Sequence, residues 1–154
     1  VLVQPWPAVD KTRMNAGVHR EVFKGDFNSV KDFSTKTANS TSAVDHVELG
    51  ELGTQEFVGA RYRAILKIDK DDVYAFNLLS DDGAQVWIDG KLVVDHDGLH
   101  SPTDKRGDAP LARGAHSLEI LWFNKTGGAA LELRWGKAGS TLTKLKREEL
   151  WHGE

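Results

Sequence analysis

The chain contains no cysteine. That removes disulfides and thiolate chemistry and leaves the redox compartment open, because large secreted β-domains need no staples. It also lacks any block of basic residues interleaved with aromatics, and its formal net charge is only -3. A nucleic-acid surface is therefore a poor reading. No apolar run approaches the roughly 18 residues of a membrane span, and no secretory signal is visible. Neither a serine at a nucleophile elbow nor a phosphate-cradling glycine loop is present. The chain opens on Val1 and is read as a mature form or a fragment of a longer protein. Its 154 residues suffice for one domain with a substantial core.

What is abundant is glycine, at 15 residues, among short apolar runs with five tryptophans. The organising stretch is Asp72–Val94. Tyr74, Phe76 and Leu78 alternate with Ala75, Asn77 and Leu79; after Ser80-Asp81-Asp82-Gly83, Ala84, Val86 and Ile88 alternate with Gln85 and Trp87. Period two with β-branched and aromatic residues predicts two strands, and Asp89-Gly90 predicts a tight turn into a third, Leu92–Asp95. Similar alternation predicts strands at Gly17–Phe23, Phe57–Ile68, His116–Phe123 and Ala129–Trp135, with shorter ones at Asp45–Leu49 and Asp108–Leu111. Phe27, Val30 and Phe33 are spaced for a helical turn, as is Leu145–Leu150. Thr35–Ala43 and His96–Gly107 read as polar loops, and Val1–Pro7, with two prolines, as an edge strand or linker. Many short strands with one wet face predict an all-β antiparallel sandwich or barrel.

Three groups of residues carry possible chemistry. Asp81 and Asp82 would diverge in a strand but can converge in a tight loop. There they either form a solvated turn or bind a hard cation, for which Asn124 in the NKTGG loop offers another oxygen. His96, Asp97 and His100 lie within five residues, and their spacing is not that of helical metal ligands. Hydrogen-bonded surface histidines are the simpler reading. Asp81, Asp82, Asp89, Asp95, Asp97 and Asp104 crowd a short span, yet no spacing fixes a pair across a sugar, so independent catalysis is not expected. The tryptophans read mainly as packing residues.

Leu79-Ser80-Asp81-Asp82-Gly83-Ala84 followed by VWIDGKLVVD, Val86–Asp95, resembles the protective-antigen-type domain family, written PA-14. The resemblance continues through Asp97-Gly98-Leu99-His100, Gly114-Ala115-His116 and Leu131–Trp135, and the KGDFNSVKDF segment resembles copies attached to bacterial glycoside hydrolases. It implies a two-sheet, jelly-roll-like β-sandwich over 17–150, with 1–16 as an extension or linker and 151–154 as a tail. In the family's sugar-binding members, two adjacent aspartates joined by a cis peptide hold a Ca²⁺ that also touches sugar hydroxyls. Asp81 and Asp82 match these positions, and Asn124 matches a later asparagine, which makes Thr126 and Gly128 the implied carbonyl donors. The adhesin members place an aromatic near the last carbonyl, where this chain has Thr126-Gly127-Gly128-Ala129.

The expectation is a non-catalytic, calcium-dependent carbohydrate-binding module. Its ligand site is expected at Asp81, Asp82 and Asn124, bordered by His96, Asp97 and His100. It would be an accessory domain of a larger secreted protein such as a glycosidase, located extracellularly, at the cell surface or in the periplasm. Its partners would be glycans and other domains of the parent, not nucleic acid or membrane. The alternative is a structural or protein-interaction spacer without a sugar site.

Overall fold

Alternating apolar residues build two antiparallel sheets in the computed structural model, which describes residues 5–7 and 14–153. The strands are β1 (Met14–Ala16), β2 (Val18–Lys24), β3 (Ser40–Val44), β4 (Val58–Ile68), β5 (Asp72–Asp81) and β6 (Ala84–Ile88). They are followed by β7 (Lys91–His96), β8 (Thr103–Leu111), β9 (Gly114–Asn124), β10 (Ala130–Lys137), β11 (Thr143–Lys144) and β12 (Leu150–Gly153). The larger sheet runs β1-β12-β4-β9-β6-β7, with β2 also on β4 and β3 on β2; the smaller runs β11-β10-β5-β8. The expected antiparallel β-sandwich is thus the observed architecture. Helical structure among the described residues is confined to short 3₁₀ turns at Val30–Asp32, Gly50–Thr54 and Arg147–Glu149.

The alternation explains the packing. Tyr62, Val86, Ile88, Ile120 and Trp122 face inward from the larger sheet and meet Phe76, Leu78 and Leu133 of the smaller one. The opposite face of β9 is also apolar, and Leu121 and Phe123 pack there with Phe23, Phe27, Val30 and Phe33. The segment between β2 and β3 therefore closes part of the outer face. The β6–β7 turn has positive φ at both Asp89 (51°) and Gly90 (75°), as a two-residue hairpin with right-handed twist requires.

Three expected elements differ. Asp45–Leu49 is not a strand: the chain curls instead, Tyr62 donates its hydroxyl hydrogen to Glu48 O at 2.7 Å, and Leu49 and Leu52 tuck into the core. Ser40–Ala43, the second half of the expected Thr35–Ala43 loop, instead joins Val44 in β3 and pairs with β2 as an edge strand. Ser40–Ala43 are exposed and only Val44 packs against the core, so hydrophobic alternation does not mark it. Thr103–Gly107, also read as loop, is the first half of β8, held by its ladder to β5 despite an exposed, polar sequence. Of Val1–Pro7, residues 1–4 lie outside the described residues, while Trp6 bridges in parallel to Leu111.

Candidate functional site

Sheet register places the two candidate loops side by side. β5 ends at Asp81, opposite Ala130 at the start of β10, and β6 begins at Ala84, opposite Trp122 of β9. The intervening corner continues the β6–β9 ladder: Asp82 N donates to Phe123 O at 3.0 Å and Phe123 N to Gly83 O at 3.1 Å. The Asp81–Asp82 peptide is cis. Trp122 Nε1 donates to Asp81 O at 3.0 Å, and Lys125 N donates to Asp82 Oδ2 at 2.9 Å. The acid pair and the loop after β9 are therefore joined by backbone as well as by proximity.

Asn124 is fully buried. Its Nδ2 donates to Gln55 O at 2.8 Å and to Gly127 O at 3.1 Å. Both amide hydrogens are spent on carbonyls, which identifies the other terminal atom as the oxygen. That atom, Asn124 Oδ1, is buried and has no hydrogen-bond partner; nor has Ser80 Oγ, the residue before the acid pair. An unpaired buried acceptor costs about 1–3 kcal/mol, so a native fold retains one where a further group satisfies it. Electrostatics point the same way. Burial first, then the neighbouring Asp82 carboxylate, pushes the Asp81 carboxyl above its ordinary range, with His100 opposing. A cation would favour ionised Asp81, relieve the repulsion and occupy the orphaned oxygen. Two carboxylates, a carboxamide oxygen and carbonyls make a hard-cation donor set. Thr126 and Gly128, the implied carbonyl donors, lie on the exposed side of this loop.

The His96–His100 loop lies against the same corner. His96 is the cross-strand partner of Ala84, and a Cβ built on Gly83 would lie 2.5 Å from Gly98 N. The loop is internally bonded: His96 Nε2 is 3.0 Å from Thr103 O, His100 Nε2 is 2.9 Å from His96 O, and the two rings stack at 4.1 Å. Among the described residues, no three His, Asp or Glu side chains gather as a metal cluster, and the transition-metal reading of His96, Asp97 and His100 finds no support. Asp97 instead accepts from Ser29 Oγ at 2.5 Å and Val30 N at 3.0 Å, anchoring the Val30–Asp32 turn. Asp97→Ala is accordingly expected to cost about 1–3 kcal/mol of stability, because it strands a backbone donor and a capping hydroxyl; urea unfolding measures this. Two residues unmarked by sequence reasoning also shape the site: Gln55, through its carbonyl, and Glu56, whose Oε2 accepts Gly127 N–H at 2.6 Å. They are separated from their partners by 69 and 71 residues, and no local pattern announces them.

The PA14 domain model matches residues 14–148. The chain belongs to the PA14 domain family. Among solved structures, this PA14 domain is similar to the PA14 sugar-binding domain from an RTX adhesin, at 20% identity, TM-score 0.76, covering 90% of this chain and 99% of that one. It is also similar to the PA14 domain of the MpAFP antifreeze protein, at 17% identity, TM-score 0.79, covering 98% and 97%. A third likeness is to the epithelial adhesin 9 A domain from Candida glabrata, solved in complex with Galβ1-3GlcNAc, at 8% identity, TM-score 0.72, covering 97% and 96%. At these identities the likenesses establish the fold. No curated protein matches the chain.

Proposed function

We propose that this PA14 domain is a non-catalytic, calcium-dependent carbohydrate-binding module, an accessory part of a larger secreted protein such as a glycosidase. Asp81, Asp82 and Asn124 supply side-chain oxygens to the ion, and Thr126 and Gly128 supply carbonyls. The ion's contribution is a fixed positive centre with coordination positions for sugar hydroxyls. The observation carrying this reading is the buried, unpartnered Asn124 Oδ1, one residue before Lys125, whose N–H is held by the Asp82 carboxylate. The likeness to domains described as sugar-binding supports it, as does the similarity to a β-glucosidase from Kluyveromyces marxianus, where the match occupies 17% of that chain at TM-score 0.62. His100 and His96 border the site and set its edge.

The test is calorimetry against a glycan panel of galactose-, glucose- and xylose-based oligosaccharides, in calcium and in EGTA. Binding seen in calcium and abolished by EGTA is expected. A domain that takes up no calcium and binds none of the panel would instead be a spacer or protein-interaction unit, a reading favoured by the lack of an aromatic in Thr126–Ala129.

A further inference from the structure

The outer face of the larger sheet is only partly covered. Beyond the Phe23–Phe27–Phe33 cluster, two adjoining recesses of about 560 and 530 Å³ open on it, and Trp87, Arg63 and Glu119 line both. Each volume falls within the about 300–1,000 Å³ typical of ligand pockets. The register builds the floor: Trp87 pairs with Glu119, Glu119 with Arg63, and Arg63 with His19, a single row across four strands. A second row, one pleat closer to the aromatic cluster, runs Asp95, Gln85, Leu121, Arg61, Glu21. Val30, Lys31 and Ser34 form a wall on that side.

This floor is ordered and not merely polar. Trp87 is half-buried, and its Nε1 donates to Gln85 Oε1 at 3.1 Å, while Gln85 Nε2 donates to Asp95 Oδ1 at 3.0 Å. Arg63 Nε lies 2.9 Å from Glu119 Oε2, and Glu21 Oε1 receives both Arg61 at 3.2 Å and Arg63 at 3.5 Å. The indole N–H is thus already satisfied, so what the ring offers a ligand is apolar surface. Around it stand donors and acceptors held by partners that also fix their rotamers. The formal charges balance: Lys31, Arg61 and Arg63 against Glu21, Asp95 and Glu119. A balanced field gives no attraction for a nucleic acid or another polyanion. It suits a neutral ligand with one apolar face and a rim of hydroxyls, which is a pyranose ring.

We propose that this recess is a second carbohydrate subsite, independent of calcium, in which Trp87 stacks on a sugar ring and the Arg63–Glu119 and Gln85–Asp95 pairs address its hydroxyls. Its Trp87–Glu119 row stands apart from the acid corner: Glu119 and Asn124 are five residues apart on β9, about 17 Å along the strand. The inference does not rest on the calcium reading.

The test uses the whole domain in EGTA, with the Trp87 indole ¹⁵N–H resonance assigned from Trp87→Phe. Cellohexaose, xylohexaose and laminarihexaose are titrated to about 10 mM, which brings a site with a dissociation constant of about 1 mM close to saturation. A saturable shift of that resonance with at least one of the three is expected, and affinity followed by the backbone amide shifts of Gln85 and Leu121 should fall about tenfold in Trp87→Ala and stay unchanged in Asp82→Asn. If Trp87→Ala does not fold, Glu119→Gln replaces it, with a severalfold loss expected. No saturable movement of the Trp87 resonance with any of the three, or its loss in Asp82→Asn, overturns the proposal. Calcium uptake measured on the same samples reports on the acid corner separately.

Discussion

Asp82→Asn is expected to weaken calcium binding by about 100-fold and to remove most calcium-dependent stabilisation. The substitution is nearly isosteric and keeps an oxygen able to accept the Lys125 N–H, so the loop should persist while one negative charge is lost. Asp82 is 8% exposed, which leaves little solvent to screen that charge. For the unmodified domain, calcium at about 100 times its dissociation constant adds about 2.7 kcal/mol. In a domain of this size, that corresponds to about 5–10 °C in Tm. Differential scanning calorimetry with calcium and with EGTA measures both quantities. An unmodified domain whose Tm is indifferent to calcium up to about 10 mM would end the calcium assignment.

The second large effect concerns the residue next to it. Gly83→Ala is expected to destabilise the domain by about 3 kcal/mol or more, in the upper range for overpacking. A Cβ there would meet Gly98 N at 2.5 Å, Gly98 O at 2.8 Å and Phe123 Cε1 at 2.8 Å. Two of those contacts are backbone, and the third is a fully buried ring. Neither can withdraw without moving the His96–His100 loop or the outer aromatic cluster. Gly128→Ala is the control, because its Cβ would find nothing within 4 Å. It should cost less than about 1 kcal/mol and retain calcium, since the group it would lend is a carbonyl. Urea unfolding of both variants separates close approach from loss of glycine as such; equal stabilities would contradict the account.

What could be read from residue order followed from burial. β4, β5, β6 and β9 face a core on at least one side, so their apolar residues alternate visibly, and Phe76 or Trp122 could be placed before any coordinates. β3 and the first half of β8 are strands because a neighbour hydrogen-bonds them. Apart from Val44 their side chains meet water, and Ser40–Val44 carries no period to detect. The same distinction runs through the site. Asp81, Asp82 and Asn124 stand in motifs that a family resemblance picks out. Glu56 and Gln55 act through single contacts with a loop about seventy residues later, and the role of Asp97 as anchor of the Val30–Asp32 turn depends on a fold-level approach. The Trp87–Glu119–Arg63–His19 row lay outside sequence reading for another reason: it needs the register of four strands at once.

Met14 and Gly153 are cross-strand partners in the β1–β12 ladder, and β12 joins β4 at Ile65 and Leu66. The Asn124 corner lies at the other end of β4, opposite Val58, about 23 Å away along the strand. The ends of β1 and β12 therefore stand side by side at the edge of the larger sheet, while the segment ahead of them is pinned by Trp6 to Leu111 of the smaller one. The two sheets are thus clasped by the chain's own entry, apart from the acid corner.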